Sequence, residues 1–251
     1  MQTKTSKNTI LLLTAGCFLS FFVFGFTDNL KGPTLPAMIA ELNINYGTSG
    51  NIFFGQYFGF LITSFIAGLL ADRFGLKTVL VIAGLLLVVG VTGYSSFQSA
   101  VWLGVSLFLI GLGLGAIELG ANAAIVEAHP EKRGLFLNLM AVMHGLGSLL
   151  APLFAGWLLS INVTWRGIYR WDIALILLFI FLFSFVRFPK SKEQNSIDFK
   201  HIAQIAFKGD LPWFYFAIAF YVASEIGMSS WLVTFLQEIR GASVASSTQT
   251  L

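Results

Sequence analysis

The sequence predicts an all-α membrane protein that crosses the bilayer seven times. Of its 251 residues, 56% are hydrophobic and 11% are charged, whereas soluble domains carry about 25% charged residues. The apolar residues are gathered into seven segments, each long enough to cross the hydrocarbon core as a helix, which takes about 20 residues. Composition and hydropathy therefore favour a polytopic membrane protein.

The predicted spans are separated by short polar connections and by one longer, charged connection. They cover residues 9–27 (or 9–36, if the first helix continues), 49–71, 78–94, 101–128, 134–160, 168–188 and 211–237. This order predicts three regions. They are a six-helix bundle over 1–188, a cytoplasmic linker over 189–210, and a seventh helix with a truncated second half over 211–251.

Basic residues predict the orientation of the chain. Eleven of the 15 Lys and Arg residues fall in the terminus and connections on one side of the membrane, and four fall on the other side. Lys31, in the first outer connection, is counted among the four. Since Lys and Arg concentrate in cytoplasmic connections, we expect a cytoplasmic N-terminus, with the chain in the inner (cytoplasmic) membrane of the cell.

Several classes of site are not predicted. Cys17 is the only cysteine, which excludes an internal disulfide and a cysteine-based metal cluster. The three histidines are far apart, and none lies in an HExxH zinc-binding pattern. No stretch interleaves basic and aromatic residues as nucleic-acid-binding surfaces do. We therefore expect no metal, no cofactor and no nucleic-acid partner, and a lipid bilayer around the chain.

The fourth span carries an acid in an otherwise apolar, glycine-rich helix. Gly111, Gly115, Glu118 and Asn122 are spaced so that they share one helix face. A charge at the bilayer centre costs about 3 kcal/mol or more, so Glu118 is expected to face protein or water. Such acids usually mark functional sites; a structural Glu hydrogen-bonded between helices is the alternative. The two glycines permit close helix packing.

Further polar residues lie in four other spans. They are Asp28 in the first span, Gln56 and Tyr57 in the second, Asn138 and His144 in the fifth, and Glu225 in the seventh. Asp28, Glu118 and Glu225 recur every third span, as expected if the first helix of each three-helix repeat lines a cavity. Inverted three-helix repeats are common in secondary transporters. The predicted fold is a six-helix transmembrane bundle of two inverted three-helix repeats, plus the first helix of a truncated second bundle.

A compact motif lies in the turn between the second and third spans. It consists of Gly68, Asp72, Arg73, Gly75 and Lys77. Its G-x-x-x-D-R-x-G-x-K pattern resembles the signature of the major facilitator superfamily, which lies at the same place in the chain. Because the motif lies in a cytoplasmic turn, far from the bilayer centre, we expect its residues to serve conformational cycling and not to contact a solute.

The fourth, fifth and seventh spans resemble the fucose/glucose permease-like branch of that superfamily. Glu118, with Asn122 one turn further on, matches the fourth helix of the branch. Glu225, followed by Trp231, resembles its seventh helix. The resemblance extends from the first span to the end of the chain.

Two positions depart from the family pattern. Gly32 stands where the branch has an Asp, and Asp28 lies one turn earlier. The Arg that the superfamily commonly carries in the fourth helix is absent, because Leu107 and Leu109 occupy the corresponding positions.

The resemblance implies a secondary active transporter that takes up a small polar solute, such as a sugar, together with protons. Glu118, with Asp28, would bind the proton. The residues that would face the solute are Asn122, Gln56, Tyr57, Asn138, His144, Glu225 and Trp231. Enzymatic activity is not expected, because no paired catalytic groups or metal ligands lie at membrane depth.

Two other functions stay open. The run from Gly147 to Gly156 in the fifth span resembles a motif of drug/proton antiporters, which favours efflux, although plain helix packing also explains it. The second open function is that of a non-transporting membrane scaffold or relic.

Carriers of this kind bind their solute between two halves, and the sequence ends after the seventh span. We therefore expect a truncated product or fragment that does not perform coupled transport alone. It would associate with itself, through its polar face and the Gly111/Gly115 surface, or with a missing C-terminal half.

The orientation is open to a direct test. A cysteine at Ser196, in the charged connection, should react with a membrane-impermeant reagent only after the cells are permeabilised. We expect this result because basic residues are in excess on the side of the membrane where this connection lies. Labelling from outside intact cells would contradict the orientation, with Cys17→Ser as the unlabelled background.

Overall fold

The computed structural model describes residues 7–186, 188 and 208–251, and every regular element in those ranges is a helix. The helices are α1 (Lys7–Asn29), α2 (Lys31–Leu42), α3 (Tyr46–Phe74), α4 (Leu76–Tyr94), α5 (Ala100–Ala128), α6 (Arg133–Ser160), α7 (Trp165–Phe185), α8 (Leu211–Arg240) and α9 (Val244–Gln249). Seven stretches are long and apolar enough to cross a membrane, so the predicted all-α fold with seven spans is confirmed. Residues 189–207 of the predicted linker lie outside the described residues.

The first span is longer than the sequence predicted. It runs from Lys7 to Leu42, with an interruption at Leu30 between α1 and α2. Pro33 and Pro36 lack the N–H that would bond the carbonyls of the residues four positions earlier, so this part of the helix is irregular without ending.

This continuation corrects the position of one charge. Lys31 does not lie in an outer connection, because it is only 3% exposed and sits inside the first span. The comparison of basic residues becomes eleven against three, and the orientation that it predicts is unchanged.

The helix α5 is the centre of the packing and lies against both α3 and α4. A Cβ atom at Gly111 would collide with the backbone carbonyl of Gln56, and one at Gly115 would lie 3.0 Å from that of Phe60. The helix backbones therefore touch, as small residues allow in membranes. The Gly111/Gly115 surface is covered by α3 of the same chain, so the expectation that it drives self-association is wrong.

The contact between α1 and α6 is built in the same way. A Cβ atom at Gly25 would collide with the carbonyl of His144, and one at Gly147 with the carbonyl of Phe22. At the other end of α6, Gly156 abuts the side chain of Thr248 in α9. Both glycines of the antiporter-like run thus serve helix packing.

The helix α8 packs against the other helices at one end only. Its buried residues are Ser230, Val233 and Thr234, and every residue from Trp213 to Glu225 is exposed. The contacts of α8 are made mainly with α2 and α9. The first half of α8 is therefore separated from the six-helix bundle, and a space lies between them.

Replacement of Gly111 by alanine should lower the thermal unfolding temperature by several degrees. The added methyl group must push α5 from α3, and overpacking of this kind costs about 1–3 kcal/mol. The matched control is Gly104→Ala in the same helix, where a Cβ would meet its nearest neighbour at an ordinary 3.9 Å. An equal effect of the two substitutions would contradict the packing described.

Candidate functional site

Two neighbouring cavities lie between α1, α6 and α8, and the larger extends to α3 and α5. Their volumes are about 730 Å³ and 600 Å³, within the usual range for small-molecule sites. They share the residues Phe24, Asp28, His144, Val222 and Ile226. The site is thus walled by four helices of the bundle and by α8.

Six of the residues predicted from the sequence line these cavities. Gln56, Tyr57 and Glu118 lie on the larger cavity, and Glu225 lies on the smaller one, while Asp28 and His144 border both. The two asparagines and the tryptophan are not among the lining residues. Asn122 is half-buried one turn beyond Glu118, Asn138 is exposed, and Trp231 packs against Tyr46 and Phe53 with ring centroids 5.8 Å and 6.4 Å away.

Asp28 is held in an ion pair that the sequence analysis missed. The Lys31 Nζ atom lies 2.8 Å from Asp28 Oδ1 and donates a hydrogen bond of 3.0 Å to the Tyr57 hydroxyl. The amide nitrogen of Gln56 donates a second hydrogen bond to Asp28 Oδ1, at 2.5 Å. The ammonium also lies 4.5 Å from the centroid of the Tyr57 ring. The signal in the sequence was an acid and a base three residues apart in an apolar helix.

Glu118 has a different environment from Asp28. It is half-buried on the wall of the larger cavity, and no ion pair or hydrogen bond of its carboxyl group is present among the described residues. His144 lies on the same cavity, with its ring edge-on to Phe24 at 4.8 Å, and the carboxylates of Asp28 and Glu225 act on it electrostatically. The cavity therefore holds one carboxyl group without a cation and one with a cation.

A further acid, Asp172 in α7, was also missed. It is 1% exposed and accepts a hydrogen bond of 3.1 Å from Thr27, while its second oxygen has no partner among the described residues. Thr27 and Asp28 are consecutive, so this acid binds α1 next to the residue that faces the cavities. Because Asp172 lies in the sixth span, intramembrane acids do not recur only every third span, and that pattern is no evidence for the repeat.

The motif between the second and third spans lies apart from the cavities. Asp72 and Arg73 are exposed at the end of α3, and Gly75 has φ +82°, a conformation that glycine adopts most easily. Lys77 Nζ donates a hydrogen bond of 2.7 Å to the carbonyl of Ser184, in the last turn of α7. Neither these residues nor Gly68 line either cavity, as expected for a motif that does not contact solute.

The cavities are closed at one end. Gly32 lies directly against the carbonyl of Ser229 in α8, and the Tyr46 hydroxyl donates a hydrogen bond to Glu238. At the opposite end α8 is exposed, so the space is open there. With the predicted orientation, the open end faces the cytoplasm.

Comparisons with known proteins agree with this architecture. The sequence model of the Major Facilitator Superfamily matches residues 17–251. The chain is 28% identical to the cis,cis-muconate transport protein of Acinetobacter baylyi over 197 residues, which cover 78% of this chain and 48% of that protein. It is 24% identical to the L-fucose-proton symporter of Escherichia coli over an alignment 274 positions long, gaps included, which covers 94% of this chain and 62% of that protein.

A solved structure gives the same result for the fold. A variant of the Escherichia coli fucose:proton symporter superposes with a TM-score of 0.68 at 22% identity, covering 90% of this chain and 63% of that one. The chain thus spans about half to three fifths of the length of these relatives.

Replacement of Asp28 by asparagine should lower the unfolding temperature by roughly 6–20 °C. It leaves the Lys31 ammonium buried without an anion, and a broken buried pair costs about 3–5 kcal/mol. The double variant Asp28→Asn/Lys31→Met should recover most of the loss, and Glu131→Gln, on the exposed α5–α6 connection, is the control. Failure of the double variant to recover would show that the pair is not the cause.

Proposed function

Because this chain belongs to the major facilitator superfamily, we propose that it forms the proton-binding part of a carrier that takes up a small polar solute together with protons. The observation that carries the proposal is the site itself: a cavity of about 730 Å³ that holds an unpaired carboxyl group, Glu118, beside hydrogen-bonding groups. The fucose symporter relative, named for a sugar and a proton, supports the same assignment.

The roles of the cavity residues follow from their partners. Glu118 is the proton site, since its carboxyl group has no cation partner among the described residues, and an unpaired charge at membrane depth is costly. Gln56 and Tyr57 present an amide and a hydroxyl to the larger cavity, and His144 with Glu225 presents polar groups to the smaller one. Asn122, Asn138 and Trp231 would then contact solute only in another arrangement of the helices.

The charges of the cavity favour a neutral polar solute over a dicarboxylate such as muconate. Three carboxyl groups, those of Asp28, Glu118 and Glu225, line the described cavities. The one lysine ammonium beside them is already paired with Asp28. A dianion would meet like charges without a free cation, whereas sugar hydroxyls can donate hydrogen bonds to carboxylates and accept them from Gln56.

Efflux in exchange for protons has less support from the structure. The glycines of the antiporter-like run, Gly147 and Gly156, pack against α1 and α9. Pro152 borders the smaller cavity, but a proline gives no direction to transport. Uptake therefore remains the assignment that we propose, in a multi-pass protein of the inner membrane.

Calorimetry with the chain in lipid nanodiscs can test solute and proton together. L-fucose, D-glucose and cis,cis-muconate are titrated at pH 8 in buffers of different ionisation enthalpy. The dependence of the measured binding enthalpy on the buffer gives the number of protons taken up on binding. We expect sugar binding with about one proton taken up, which Glu118→Gln should abolish. Tyr57→Phe should weaken sugar binding roughly 2- to 12-fold through the loss of one hydrogen bond.

The control is Glu127→Gln, the same substitution in the same helix at an exposed residue away from the described cavities. Proton uptake that persists in Glu118→Gln would refute the role of that acid. Binding of muconate without binding of sugars would refute the solute class.

A further inference from the structure

The break in the first span contains a charge that the proposed transport reaction does not use. The Lys31 side chain is withdrawn from solvent, and its ammonium contacts Asp28 and Tyr57. No other described acid interacts with it. A lysine at membrane depth is costly, so it marks a functional site by default.

The groups around this ammonium are the oxygen ligands that a small hard cation prefers. The Asp28 carboxylate and the Tyr57 hydroxyl lie 2.8 Å and 3.0 Å from Nζ. Asn29 and Gly32 line a small cavity beside Lys31, and their carbonyls lack the usual helical donors, since Pro33 and Pro36 have no N–H. Unwound carbonyls at helix breaks coordinate monovalent ions in transporters.

There is also room at this position. This small cavity of about 20 Å³, the size of one water molecule, adjoins Lys31, so the space left by removal of the ammonium would be continuous with it. Its lining consists of Asp28, Asn29, Lys31, Gly32, Tyr57, Ile226, Ser229 and Ser230. Most of these residues have either a side-chain oxygen atom or a main-chain carbonyl that accepts no helical hydrogen bond.

We propose that the break in the first span is a monovalent-cation site, and that the Lys31 ammonium occupies it as a cation built into the chain. The site binds no inorganic ion while the ammonium is in place. Asp28 then stays ion-paired with Lys31, and Glu118 is the residue that binds the proton. Removal of the ammonium exposes an anionic, oxygen-lined pocket of the kind that takes Na⁺.

The test is whether an external cation replaces the lost ammonium. Lys31→Ala and Lys31→Gln are purified in detergent, and thermal unfolding is followed in choline chloride, NaCl and KCl at equal ionic strength. We expect both variants to lose stability in choline. Na⁺ should raise their unfolding temperature by about 3–6 °C at ten times its dissociation constant, whereas the unmodified chain should respond to no ion.

A purely structural ion pair would not show this response, because no ion could replace the lysine. Two controls test whether the response arises at this site. The double variant Asp28→Asn/Lys31→Ala should not be stabilised by Na⁺. Lys77→Ala, which removes a lysine bound to a carbonyl at the end of α7, should also show no stabilisation by Na⁺. Binding of radioactive Na⁺ in equilibrium dialysis should reach about one ion per Lys31→Gln chain.

No Na⁺-specific stabilisation and no saturable Na⁺ binding in either Lys31 variant would overturn the proposal, as would an equal response of the unmodified chain. The measurement requires neither solute binding nor transport. Failure of the proposed function would therefore leave this result intact, and the reverse also holds.

Discussion

An ammonium group that has lost its water must lie beside an anion, and this requirement organises the centre of the molecule. Lys31 meets it through Asp28, and the same carboxylate accepts a hydrogen bond from Gln56 while the ammonium donates one to Tyr57. The pair thus binds the first span to α3. The side chains of Asp28, Lys31, Gln56 and Tyr57 thus lie together between the first span and α3, beside the cavities.

Close backbone contacts provide the rigid surroundings in which this pair can be held. In lipid, apolar side chains gain little by leaving the solvent, so helices associate through van der Waals contact between small residues. Gly111 brings α5 onto α3 at Gln56, and Gly25 with Gly147 brings α1 onto α6 beside His144. The glycine contacts therefore lie directly behind the polar residues that they position. A longer side chain at any of them would displace a wall of the cavity.

The sequence predicted the spans well because hydropathy and length are local properties. Six predicted spans agree with the helices to within three residues at either end. The first span was predicted too short, because Pro33 and Pro36 are typical of helix ends, whereas in the structure they only interrupt hydrogen bonding. That error moved Lys31 into a connection and hid the ion pair.

The candidate site was predictable only in part. The spacing of Glu118 along its helix showed that it faces protein, but it could not show which helix lies opposite. Asn122 and Asn138 satisfied the same criteria and lie off the cavities. Asp172 was overlooked in an apolar span because Thr27, which donates a hydrogen bond to it, is 145 residues away in sequence. Contacts between distant segments cannot be read from periodicity within one segment.

The charge of the cavity depends on where α8 lies. The charge of Asp28 is balanced within the first span by Lys31, so movement of other helices leaves it unchanged. Glu225 is different, because α8 carries it on an exposed half that only borders the smaller cavity. The contacts that fix α8 lie at its far end, where Gly32 meets Ser229 and Tyr46 meets Glu238.

Val233 is also buried at this end, and Trp231 packs against Tyr46 and Phe53, so the far end of α8 is held by apolar burial as well as by polar contacts. Rotation of α8 about this end would bring Glu225 towards His144 or remove it, while Glu118 stays on α5. The carboxyl groups of Glu118 and Glu225, neither of which has an ion-pair partner among the described residues, would then change their separation. Like charges repel most strongly where water is excluded, so the position of α8 determines how strongly these two groups repel each other when both are charged.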